Sequence, residues 1–138
     1  MDPLSIVAAV DASSGFVVAF FALLIGHAVA DFALQGEFLA VAKNRHAELS
    51  KFFGESPAPK GIWIYALGAH SLIHAGAVWL ITGSVALGLL EFVLHWVIDF
   101  AKCEGWTGFK TDQFLHVACK IAYAVMITTN CPWIAWTP

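Results

Sequence analysis

Charge is scarce in this chain. Lysine and arginine number 7 and aspartate and glutamate 10 among 138 residues, 12 % in all, with a formal net charge of −3. No basic run is present, which argues against nucleic acid as a partner. Cysteine is sparse too. Cys103, Cys119 and Cys131 are an odd set without CxxC spacing, so neither a disulfide framework nor a zinc ribbon is indicated. The N-terminal stretch MDPLSIVAAVDASSG has no basic n-region and is not expected to be a cleaved signal peptide. Glycine-rich phosphate loops and nucleophilic Ser or Cys motifs are missing as well.

Apolar residues take up what charge leaves: 59 % of the chain, with a mean hydropathy of +0.75. A soluble domain this short has too little interior to hide so much apolar surface. The expectation is therefore a single all-α domain, an integral membrane four-helix bundle. Four apolar stretches mark its spans, at about 16–34, 62–82, 84–101 and 114–136, each near the roughly 20 residues a helix needs to cross the hydrocarbon core. Asp11, Ser13 and Ser14 are candidate caps for the first. A polar segment, 35–61, separates spans one and two; Gly83 alone separates two and three; KCEGWTGFKT joins three to four.

Lys43, Arg45, Lys51, Lys60, Lys102 and Lys110 all lie in the first or third of these connections, which share one side of a four-span bundle. The positive-inside rule then makes 35–61 a cytoplasmic loop and puts both termini outside, in a plasma membrane. Trp63 and Trp106 fall near the inner interface and Trp79, Trp133 and Trp136 near the outer.

Polar residues recur inside the spans at i, i+4: His27 with Asp31, His70 with His74, His95 with Asp99, and Asp112 with His116. Alternate spans run in opposite directions, so all four pairs come to the cytoplasmic half. Glu91 precedes His95 by one further turn. Three unpaired acids in hydrocarbon would cost up to about 8–10 kcal/mol, so Asp31, Glu91 and Asp99 are expected to face inward and find partners. Imidazoles and carboxylates converging from four helices are what a divalent metal, zinc or else manganese or iron, requires. Candidate ligands are His27, Asp31, His70, His95, Asp99, Asp112 and His116. Blander readings stand beside this one: Asp112 as a helix cap, His74 as a neutral core histidine, Glu91 as a protonated acid bonded to a neighbouring helix, and the whole set as a metal-free hydrogen-bonded network.

The segments HAVADFALQ, then Lys43, then AHSLIH, HWVIDFAK and DQFLH resemble the bacterial and phage membrane proteins grouped as domain-of-unknown-function family 3307, with its HxxxDFxLQ, HxxxDxxK and DQxxH motifs. The resemblance runs from His27 to His116 and implies that His27, Asp31, Gln35, Lys43, His70, His95, Asp99, Lys102, Asp112, Gln113 and His116 are family positions in a bacterial inner-membrane protein. His74 is extra to the pattern, Glu91 lies outside it, and the segment between Lys43 and His70 is long and carries prolines. A more distant similarity is to membrane-bound metal-dependent hydrolases with intramembrane His and Asp residues.

The expected function is a metal-dependent hydrolase, because an open imidazole–carboxylate site lowers the pKa of bound water to about 7. In that role Glu91 is the candidate general base, and Lys43 and Lys102, at headgroup depth, are candidate holders of a substrate phosphate, which points to a lipid-phosphate substrate in contact with membrane lipid. Two alternatives are carried: a non-enzymatic, metal-clasped subunit that acts through a partner membrane protein, and a pigment- or haem-binding subunit. Ion or proton passage is disfavoured, since the outer half of each span has almost no ionisable residue.

Overall fold

The computed structural model describes residues 12–134. All regular structure among them is helical: α1 (Ala12–Ala28), running into a wide π turn at Val29–Ala33, α2 (Gly36–Ala42), α3 (Ser50–Phe53), α4 (Ile62–Thr82), α5 (Val85–Cys103), α6 (Phe109–Thr128) and a 3-10 turn at Pro132–Ile134. Asp11 and Trp136, an expected cap and an expected anchor, lie outside the described residues, while Ser13 and Ser14 fall within α1.

Four long helices, α1, α4, α5 and α6, pack as a bundle in which α1 touches both α4 and α6 and the α4–α5 pairing is the most extensive. Gly83 makes that pairing tight. Its left-handed backbone (φ 71°) ends α4, its N–H bonds the Trp79 carbonyl at 2.7 Å, and the Ser84 hydroxyl then accepts from the Leu87 N–H to start α5. Gly88 lets the two backbones meet, since a Cβ there would stand 3.2 Å from the Ala75 carbonyl and 3.1 Å from the Trp79 Cβ.

The fourth helix departs from its expected bounds. It starts at Phe109, five residues before 114, and stops at Thr128 rather than reaching 136. Asn130 takes a positive φ of 49° and Pro132 cannot continue an α-helix, so the chain turns there. The start is set by Gly108 as N-cap, which places Asp112 inside the helix and removes its capping role. The 35–61 segment also holds more structure than its polarity indicates. Ala42 and Leu49 bury against Ala66 of α4, with Leu39, Phe52, Phe53 and Ile62 around them, so α2 and α3 form a cap on the start of α4.

The bundle has two unlike halves. Toward the Gly83 turn, Ala19, Leu23, Val78, Leu87, Tyr123 and Ala124 make an apolar core. Toward the 35–61 cap, the buried polar residues gather: His27, Lys43, His70, His74, Glu91, His95, Asp99, Asp112, His116 and Lys120. The outside is apolar, with Val17, Phe21, Ile25, Val29 and Phe32 exposed in one stripe along the first helix and Leu89, Val93 and Val97 along α5. Two segments, Gly15–Ala33 and Ile62–Thr82, are long and apolar enough to cross a membrane.

Candidate metal centre

The buried polar half is built from two opposed rows. On α5, Glu91, His95 and Asp99 follow each other at i, i+4 and i+8; on α6, running the other way, so do Asp112, His116 and Lys120. Antiparallel packing sets them rung against rung. Lys120 Nζ donates to Glu91 Oε1 at 2.6 Å, the His95 and His116 rings stack at 4.2 Å, and His116 Nε2 lies 3.2 Å from Asp99 Oδ1 and 3.5 Å from Asp112 Oδ1. None of the six is more than about 1 % exposed.

The other two long helices close the ring. His70 Nε2 stands 3.1 Å from His95 Nε2, 3.3 Å from Asp99 Oδ2 and 3.4 Å from Asp31 Oδ1. One turn on, His74 stacks on His95 at 3.6 Å and points its Nε2 at Asp31 Oδ1, 3.7 Å away, with no hydrogen-bond partner. Asp31 sits on the π turn, whose wider hydrogen bond runs from the Leu34 N–H to the Val29 carbonyl at 2.9 Å; such turns recur at functional sites. His27 Nε2 is farther out, 3.4 Å from Gln113 Oε1 and 4.0 Å from Asp31 Oδ2.

All seven expected ligands are therefore in one cluster, and their involvement is unequal. Asp31, His70, His74 and His95 each offer one atom within 4.8 Å of the others, and so do His95, Asp99 and His116. Around an ion with bonds of about 2.0–2.1 Å, tetrahedral ligand atoms are about 3.3–3.5 Å apart. Three of the six separations in the first set, 3.1, 3.4 and 3.7 Å, bracket that edge, and all six are within 4.8 Å. Neutral imidazole nitrogens and a carboxylate fit a zinc-like or manganese- or iron-like ion. Asp112 is turned toward Lys102, at 2.9 Å, and Gln113, at 3.2 Å.

Of the three residues expected to do chemistry, Glu91 and Lys43 are buried and Lys102 is partly exposed. Glu91 Oε1 holds His95 Nδ1 at 3.3 Å as well as Lys120, so its carboxylate fixes the ring and leaves His95 Nε2 aimed at the centre. Lys43 is buried: its ammonium donates to Asp99 Oδ2 at 2.5 Å and, with the Gln35 amide suitably turned, to Gln35 at 2.6 Å. Lys102, its side chain 30 % exposed, lies at the rim. Beyond it, Arg45 and His46 grip Glu104, whose carboxyl the Arg45 hydrogen bond holds below the usual glutamate range.

Sequence reasoning overlooks Lys120, although the i+4 series of α6 leads straight to it, and leaves His74 undecided between ligand and filler. Comparison with curated proteins and with solved structures finds no match. A family model does match residues 19–137, which covers every residue of the cluster. On that match the chain belongs to the family described as protein of unknown function, DUF3307.

Proposed function

We propose that this chain is a small integral membrane protein of the bacterial inner membrane, its four long helices spanning the bilayer with both termini outside, and that it holds a divalent metal in the His/Asp cluster near the cytoplasmic interface. The observation that carries the metal is the convergence of Asp31, His70, His74 and His95 from three helices, with the buried His74 Nε2 left without a partner. Support for the membrane comes from polarity turned inside out, with ion pairs in the core and Phe21, Ile25, Leu72, Leu80, Val93 and Val125 on the surface.

Burial favours a clasp over a catalyst. His70, His74 and His95 are no more than 1 % exposed, and a site whose positions are all filled by protein is structural chemistry. The function this supports is a metal-clasped membrane subunit that works through a partner membrane protein. A second reading, the hydrolase, rests on the rim: the Asp31 side chain is 10 % exposed and Lys102 stands open beside Asp112. There a bound metal would supply an activated water, Asp31 would be the ligand able to yield a position, and Lys102 would be the group left to meet a lipid phosphate. The pigment reading has the least support, because histidine rings stacked at 3.6 and 4.2 Å leave no slot for a flat macrocycle between them.

The test is metal content by mass spectrometry on protein purified in mild detergent without an affinity metal. Stoichiometric metal is expected, with chelation lowering the melting temperature by more than about 10 °C. Folded protein that takes up no zinc, manganese or iron would overturn the proposal. Turnover of phosphate esters or phospholipids by the metal-loaded form, lost on chelation, would install the hydrolase in place of the clasp.

A further inference from the structure

Resting on the metal reading above, we infer that the centre takes one divalent cation and not two, held by Asp31, His70, His74 and His95, and that Lys43, Lys102 and Lys120 are built-in countercharges standing where a second metal would otherwise be needed.

The first ground is pairing. The buried cluster has four carboxylates, and three of them each hold a lysine: Asp99 holds Lys43 at 2.5 Å, Asp112 holds Lys102 at 2.9 Å, and Glu91 holds Lys120 at 2.6 Å. Asp31 is the fourth, with no lysine within 4 Å. Its neighbours are the Gln113 amide, which donates to Oδ2 at 3.0 Å, and imidazole nitrogens at 3.4 and 3.7 Å from Oδ1. Histidines aside, the cluster thus carries one more carboxylate than ammonium, and that excess sits where the unpartnered His74 nitrogen points. One dication moves the balance from one negative charge to one positive. A second would leave three positive charges buried together, with no anion free to meet them. Bundle sites that hold two metals give them four carboxylates and two histidines, one such donor set spread over four helices.

The second ground is His95. The Glu91 carboxylate occupies its Nδ1 side, so only Nε2 is offered to the centre. The Asp31 set and the Asp99–His116 set both need that nitrogen and so cannot be filled together. His116 Nε2 is already committed between Asp99 and Asp112. The second set is therefore a hydrogen-bonded wall, and it positions His70 and His95 for the first.

Metal counting on the full chain, in detergent and saturated in turn with zinc and with manganese, decides the matter, together with X-ray absorption of the zinc-loaded protein. The expected result is one ion per chain, a first shell of imidazole nitrogens and one carboxylate, and no metal–metal scattering. Asp31→Asn should lose the ion and His116→Ala should keep it; His74→Gln, which leaves the carboxylate in place, should weaken binding roughly 10- to 100-fold and backs up Asp31→Asn should that variant fail to fold. Two ions per chain would overturn the inference while leaving the metal reading intact. One ion lost with His116→Ala would overturn its placement, and no ion in folded wild type would remove both the inference and the reading on which it rests.

Discussion

At the scale of single residues, the Glu91–Lys120 pair decides most. Two charges fully withdrawn from solvent are tolerable together and costly apart: removing one partner of such a pair costs about 3–5 kcal/mol. Lys120→Met and Glu91→Gln are each expected to lose that much, read as thermal unfolding in detergent micelles. The double change Glu91→Met with Lys120→Met should regain most of the stability, because the orphaned charge is gone. It should not regain the metal, whose affinity is expected to stay about 10- to 100-fold down with His95 no longer held at Nδ1. Metal titration beside the melts separates the two effects. The i, i+4 pairs made most of this cluster legible in the sequence, because spacing fixes a helix face and alternating direction fixes an end. Lys120 is not legible in this way, because a lysine within an apolar helix looks anomalous until Glu91, its partner across the bundle, is seen. Whether His74 joins was beyond the sequence too: its ring turns inward through packing on His95, which no one-dimensional pattern records.

At the scale of elements, glycine separates the contacts that hold the bundle from the surface that faces outward. Gly88→Leu pushes into the Ala75 carbonyl and Trp79, backbone and near-backbone atoms of α4 that cannot step aside, and should destabilise by about 1–3 kcal/mol. Gly76→Ala meets nothing within 4 Å and should be neutral or stabilise by up to about 1 kcal/mol through helix propensity. Denaturation of both variants under one condition checks the contrast. Of the helices, α4 is the easiest to read, having no Asp, Glu, Lys or Arg and being bounded by Gly61 and Gly83. The ends of α6 are not, because hydropathy runs on through Cys131 and Trp133 while Asn130 and Pro132 turn the backbone. Charges lower the averaged hydropathy of α5 and α6, yet they lie on inward faces and are paired there.

At the scale of the whole molecule, orientation is the quantity to test. In a background with Cys103, Cys119 and Cys131 replaced by alanine, Ser56→Cys lies on the exposed 35–61 cap and Trp133→Cys at the other end of the bundle. A membrane-impermeant maleimide should label Trp133→Cys in spheroplasts and Ser56→Cys only in inverted vesicles. Equal labelling of both in intact spheroplasts would remove the proposed topology.

The Gly83 turn also carries a consequence for synthesis. Two residues, Gly83 and Ser84, separate α4 from α5, so in the membrane topology proposed above these helices would enter the bilayer as one hairpin, bringing His70, His74 and His95 together while the chain is still on the ribosome. In that topology the hairpin would also carry Glu91 into the membrane ahead of Lys120, its partner, which follows only when α6 emerges. Until then the half-made protein is marked by an unanswered carboxylate. A message truncated between α5 and α6 should therefore yield a product that membrane quality control clears within minutes, while the full chain persists.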